Sequence, residues 1–338
     1  MSQFAAVLEP RSVLIASDFS QSSEKALRHA LALARHYGSR ICLAHVVSSL
    51  GLTIAGPDAI TACEEVVSRQ AADLEDWLAR TGALNGIRYK FIIRHGALWP
   101  ELREIIRQEN TDLLVVGTHG RRGMGKLFFG SVAEEIFRQA DCPVLVFGPH
   151  SQQQPWIGAP SRQRTFLFAT DFGRASLHGL PQAIAVANHF GARLTFLNII
   201  TAAPPRHSDV HVGSREDTWH SAMQRLTKLA RGAKLHATPE CLVESESRKP
   251  VGECILEAAD TLRANLIIMG LHDSSRRGGI SHVNSTTAYD VACQAASPVM
   301  TVNFPSGNID IRPRPTEIAA SPLSQADLTR IRGLGVRW

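Results

Sequence analysis

The residues best placed to do chemistry in this chain belong to one segment, Gly117-Thr118-His119-Gly120-Arg121-Arg122-Gly123-Met124-Gly125-Lys126-Leu127-Phe128-Phe129-Gly130-Ser131. It leaves an apolar run (Leu113–Val116) and leads into a helical pattern over 132–140. A strand that stops at glycine, a glycine-rich loop and a Gly-Ser at a helix start together suit a phosphate. Loop and first-turn amides lack internal partners there, and the helix dipole adds positive potential. Glycine lets the backbone approach a ligand and take positive φ without steric cost. Arg121, Arg122 and Lys126 offer charge to a polyphosphate, or serve only as solvated loop charges.

A second candidate is Asp18, which follows Ala16-Ser17 at the end of the apolar run Val13-Leu14-Ile15. Its carboxylate could accept hydrogen bonds from ribose hydroxyls or an adenine amine, or it could cap the helix that begins near Ser20–Ser22. Two lookalikes are set aside. Gly120 to Lys126 matches the start of a P-loop, but Leu127 stands where Ser or Thr would hold Mg²⁺. The G-x-G-x-x-G of dinucleotide folds is missing, because Gly123 and Gly125 are followed by Phe128.

The elements that must position these groups occur twice. Ala16-Ser17-Asp18-Phe19 returns as Ala169-Thr170-Asp171-Phe172, and Cys142-Pro143-Val144 as Ser297-Pro298-Val299. Two landmarks in the same order, at offsets of 153 and 155 residues, indicate duplication of a whole domain. The first half predicts strands at 13–17, 40–47, 87–94, 113–116 and 144–147, with helices at 20–37, 58–81, 100–109 and 132–140. The second predicts strands at 166–169, 194–200, 241–244, 266–269 and 299–303. Its helices fall at 175–190, about 214–231, 251–263 and 286–295. Strands that are continuously apolar and separated by helices indicate parallel sheets covered on both faces. The expected domains are 1–150 and 164–305, with a Gln/Pro/Ser-rich linker at 151–163 and a tail at 306–338. Ligands in such α/β sheets sit beyond the carboxyl ends of the strands, at the switch in strand order.

Composition narrows the function classes. Apolar residues make up 44% and charged residues 20%, ordinary for a globular protein. No apolar stretch approaches a bilayer span, and Met1 to Pro10 does not read as a signal peptide. The six scattered cysteines form no Cys-x-x-Cys pair, so reduced thiols and a cytoplasmic location are expected. The net charge of +5 lies wholly beyond residue 150 and without a dense basic run, so nucleic acid is not an expected partner. No metal site is expected: His207 and His211 have i,i+4 spacing but follow Pro204-Pro205 and read as loop.

The composite pattern resembles the ATP-binding universal stress proteins. It consists of Gly117-x-x-Gly120, nine residues, then Gly130-Ser131, together with Asp18 ending the first strand, His45-Val46 closing the second and Cys142-Pro143 before the last. The resemblance covers about 10–148 and 163–304, a tandem arrangement. It implies an α/β, Rossmann-like fold: two doubly wound five-stranded parallel sheets of order 3-2-1-4-5, with ATP, alone or with Mg²⁺, in the crevice. It carries adenosine contacts to Asp18 and Val46 and phosphate contacts to Gly117, Gly120, Gly130 and Ser131. Ala16, Ser17, Val116, His119 and Val132 become pocket neighbours. The second half departs from the pattern, with Asp273 where Gly120 stands and Asn284-Ser285-Thr286 for Phe129-Gly130-Ser131, so its site is expected to be degenerate.

No Ser/His/Asp or Cys/His constellation stands out, and no catalytic residue is assigned. The leading expectation is a nucleotide-dependent signalling module acting on a protein partner. Slow ATP hydrolysis or self-phosphorylation, and a nucleotide-free scaffold, are the alternatives. The apolar strands 144–147 and 299–303 would be unprotected edges alone, so pairing between the halves as a pseudo-dimer, or between two chains, is expected.

Overall fold

Each half opens with a short apolar strand that the following helix doubles back to cover. The computed structural model describes residues 9–48, 57–118, 136, 139–152, 157, 164–201, 215–245, 249–271 and 283–303. The first half runs β1 (Ser12–Ala16), α1 (Gln21–Tyr37), β2 (Arg40–Ser48), α2 (Pro57–Arg80), β3 (Tyr89–Gly96), α3 (Leu98–Gln108), β4 (Leu113–Gly117) and β5 (Val144–Phe147). The second runs β6 (Thr165–Ala169), α4 (Arg174–His178), α5 (Leu180–Phe190), β7 (Arg193–Ile200), α6 (Arg215–Gly232) and β8 (Glu240–Ser245). It closes with α7 (Val251–Thr261), β9 (Leu266–Leu271), α8 (Val283–Gln294) and β10 (Val299–Asn303). The expected linker, tail and helix over 132–140 fall largely or wholly outside the described residues.

Helix α1 shows why these segments fold as they do. The Ser20 hydroxyl caps its start by accepting from the Ser23 amide at 3.2 Å. Gly38, at φ 68°, ends it in the left-handed conformation. Between them Ala26, Leu27, Ala30, Leu31, Leu33 and Ala34 form the buried stripe. The helix expected over 175–190 is corrected: it breaks at Gly179 into α4 and α5. Pro181 lies in the first turn of α5, where its missing N–H costs nothing, but it cannot continue a helix arriving from α4.

The two expected five-stranded sheets are joined edge to edge through the strands at 144–147 and 299–303. The resulting order is β3-β2-β1-β4-β5-β10-β9-β6-β7-β8, a single ten-stranded sheet. Each half keeps the order 3-2-1-4-5, and the halves fuse where β5 and β10 pair antiparallel, Leu145 opposite Met300. Val144 to Phe147 and Val299 are essentially sealed from solvent, so the join hides two apolar edges at once. At this seam the His29 ring packs on Phe147 with centroids 4.4 Å apart, and burial pulls its imidazole below the ordinary range.

Two apolar layers flank the sheet. One gathers Leu27, Leu31 and Leu33 of α1 with Val186 of α5 and Leu226 of α6. The other gathers Trp99, Leu102 and Ile105 of α3 with Ile255 of α7 and Val291 of α8. Among the described residues no helix is long and apolar enough to cross a membrane. Five described cysteines form no disulfide, and burial raises the thiols of Cys42, Cys142 and Cys293 to about 12, leaving them protonated and inert at neutral pH.

Candidate functional site

Strands β1 and β4 are parallel neighbours with Ala16 opposite Val116, so both end at the same rim of the sheet. Ala16 also pairs with Ala44 of β2, and Val46, two residues on, faces the same side by strand alternation. Ala16, Val46 and Val116 thus share the face covered by α3. Val116 is only 3% exposed, which makes it part of the core beneath the rim.

Beyond β1 the chain makes a tight turn. The Ser17 amide donates to the Ala44 carbonyl at 2.9 Å, and His45 Nδ1 lies 2.7 Å from the Ser17 carbonyl. The Asp18 carboxylate, exposed at the rim, accepts through Oδ1 from the Ser20 amide at 3.1 Å and from the Ser23 hydroxyl at 2.5 Å. Phe19 takes φ 59° in the left-handed region, an uncommon state for a bulky residue, and its amide donates to the Ser17 hydroxyl. Its ring packs against His45 at 4.6 Å. Ser20, not Asp18, therefore caps α1; the Asp18 carboxylate braces the turn that leads into the cap, on a side chain that still reaches the rim.

Gly117 has a reason of its own. A Cβ there would lie 2.5 Å from the Ser22 carbonyl carbon and oxygen and from the Ser23 amide nitrogen, because the first turn of α1 presses directly on β4. Only glycine permits that approach. Ser20, Ser23 and His45, which hold the Asp18 turn, escaped assignment from sequence as site residues. The signal that could have found Ser23 is its recurrence as Ser176, at the same offset that relates Asp18 to Asp171.

The second half repeats this construction. Asp171 Oδ1 accepts from the Gly173 amide at 2.8 Å and from the Ser176 hydroxyl at 2.6 Å. Phe172 takes φ 61° with its amide on the Thr170 hydroxyl, and Asn198 donates to the Thr170 carbonyl as the counterpart of His45. Gly270 replaces Gly117, and its hypothetical Cβ would lie 2.1 Å from the Ala175 carbonyl oxygen. Nearby, at the ends of β7 and β8, Ile200, Ser245 and the Glu216, Trp219 and His220 side chains of α6 line an open cavity of about 500 Å³.

His119, Gly120, Gly130, Ser131 and Val132 lie outside the described residues, as does the glycine segment itself beyond Thr118. Among the described residues, no group of three or more His, Cys, Asp or Glu could hold a metal ion. What the described rim offers is a carboxylate fixed at a strand end beside small apolar side chains.

Comparison with known proteins places this architecture. The universal stress protein family matches residues 10–148 and again 163–303. A universal stress protein of Mycolicibacterium smegmatis is 24% identical over 298 residues, 86% of this chain and 96% of its own length. One of Thermus aquaticus is 28% identical over 137 residues, covering 40% of this chain and 97% of that protein. Among solved structures, a universal stress protein of Archaeoglobus fulgidus superposes with a TM-score of 0.60 at 18% identity, over 87% of this chain and 98% of that one. Doubled strand order, doubled Asp-Phe turn and doubled family match agree: this chain belongs to the universal stress protein family, with two copies of its domain in tandem.

Proposed function

We propose that the first half binds an adenine nucleotide, ATP in the first instance, and that occupancy alters the surface it shows to a protein partner. The observation that supports this is the pairing of β1 with β4, which sets Asp18 at the same rim from which the Gly117–Ser131 segment departs. The donor set fits the ligand: a fixed carboxylate suits ribose hydroxyls, and Ala16 and Val46 leave apolar room for a flat base. Gly117, Gly120, Gly130 and Ser131 would supply amides and a hydroxyl to the phosphates, with His119 and Val132 beside them. Mg²⁺, if it accompanies the triphosphate, would neutralise phosphate charge.

In this reading residues 1–150 are the nucleotide domain and 164–305 a second domain with a degenerate site, where Asp273 in place of Gly120 would repel phosphate. Mass spectrometry of nucleotide released from the purified chain, with calorimetry of ATP, AMP and cyclic AMP, tests it. One equivalent of adenylate bound per chain and abolished by Gly130→Asp supports the assignment. A folded chain that binds no adenylate overturns it. Labelled phosphate released by wild type but not by Gly130→Asp would move the reading from signalling module to slow ATPase.

A further inference from the structure

His36 and His189 are duplicates of one another, at the same 153-residue offset that relates Asp18 to Asp171. Each lies in the last turn of its helix, α1 and α5, and the two helices bring them face to face across the junction between the halves. Their Nε2 atoms are 3.0 Å apart. The ring centroids are 5.2 Å apart, so the centroid separation exceeds the nitrogen separation by nearly two ring radii and the rings meet head-on. At that spacing only one arrangement bonds, with one Nε2–H donating to the bare Nε2 of the other. Two bare nitrogens would oppose lone pairs, and two N–H groups would oppose protons.

The surroundings tolerate one added charge and resist two. Tyr37 and Phe190 wall the pair, the His36 ring stacking on Phe190 at 5.3 Å and the His189 ring lying 4.8 Å from Tyr37. Burial, with Glu9 nearby, pushes the Tyr37 hydroxyl well above its ordinary range and keeps it neutral. The Arg164 guanidinium covers Phe190 at 5.7 Å, and Asp112 lines the hollow behind Tyr37 and Phe190. Arg35 is turned away, donating to the Ala83 carbonyl. Glu9 and the two helix C-termini favour a positive charge here.

We propose that the His36–His189 pair is a proton-operated latch between the two halves, closed by the shared Nε2–H···Nε2 bond and released when both rings are charged. The latch is independent of the nucleotide reading. The direction of its pH dependence follows from His189, whose imidazole is held below its ordinary value of 6.5 by burial first and by His36 second, with Glu9 opposing. The folded chain therefore takes up that proton later than the unfolded chain. The latch's contribution is complete above the ordinary imidazole value and declines as pH falls from there through the lowered one.

The test is side-chain ¹⁵N NMR of the full chain from about pH 8 to about pH 5, run with a chelator and again with equimolar Zn²⁺. Hydrogen exchange of the last turns of α1 and α5 is followed in parallel. The two rings should titrate in coupled steps, with the His189 ring held below its ordinary value. The lower step should coincide with a several-fold loss of protection in those turns while the β-sheet amides stay protected. His36→Gln, and separately His189→Gln, should leave a single step, raised when His189 is the ring that remains, and no acid-triggered loss. Independent single-step titrations in wild type would overturn the proposal, as would acid exchange unchanged in both variants. Zn²⁺ capturing both rings at equimolar concentration would also overturn it, since the pair would then be a metal site.

Discussion

The two Asp-Phe turns, one in each half, are built from the same bonds although the glycine segment of the first half is not repeated in the sequence of the second. Asp18 and Asp171 each hold a backbone amide two residues on and a hydroxyl five residues on, and Phe19 and Phe172 both sit in the left-handed region. The first half carries a glycine segment with Gly120 and Gly130-Ser131, while the second half carries Asp273 and Asn284-Ser285 at the matching sequence positions. Had the aspartate been kept only for a ligand, the half with the poorer phosphate loop would have been free to lose it. Its geometry there says that the turn is first an architectural device, fixing how the helix leaves the strand.

Substitutions at matched positions can break this comparison or sharpen it. The largest effect is expected at the glycines. Gly270→Ala forces a Cβ to within 2.1 Å of the Ala175 carbonyl oxygen and should cost about 3 kcal/mol or more, with Gly117→Ala close behind at 2.5 Å from α1 backbone. Denaturant unfolding checks both. A neutral result at either position would mean that helix and strand can part without penalty. Asp18→Ala and Asp171→Ala should each lose about 1–2 kcal/mol, because each strands an amide and a hydroxyl. Only the Asp18 change should also weaken adenylate binding by calorimetry. Equal losses of binding from both would mean that the second crevice is occupied too.

Smaller effects follow from the next contacts outward. His45→Ala and Asn198→Ala each remove one hydrogen bond to the carbonyl before the aspartate and should cost about 1 kcal/mol. Arg225→Ala removes a guanidinium lying 3.9 Å from the Phe172 ring centroid and should cost about 0.5–1 kcal/mol. A greater loss at Arg225 would show that the second turn leans on its cation more than the first leans on the Phe19–His45 contact.

Periodicity and punctuation made most of the elements legible. The stripe from Ala26 to Ala34 and the stop at Gly38 mark α1 closely, and continuous apolar runs at 113–116 and 266–269 mark buried parallel strands. The break at Gly179 was also legible in principle, since Pro181 stands two residues beyond it, but helical spacing on both sides masks it. What no local pattern carries is contact across distance. That Gly117 is glycine because Ser22 presses on it depends on a helix about a hundred residues earlier in the chain. The join of the halves, by contrast, was legible, since the apolar strands 144–147 and 299–303 would be unprotected edges alone. The His36–His189 pair lay hidden because each histidine alone looks like a helix-end base; only aligning the copies shows them as one position used twice.

The antiparallel join of β5 with β10 fixes a stoichiometry. Separate protomers would have to find each other, and mixtures of like and unlike pairs would form wherever two versions were made. Here the covalent connection keeps each edge at high effective concentration for its mate. Every molecule therefore contains one of each crevice, in a set orientation, at any dilution. Under that guarantee the loop of one copy can drift in sequence, because its edge strand is still needed to cover its sibling's.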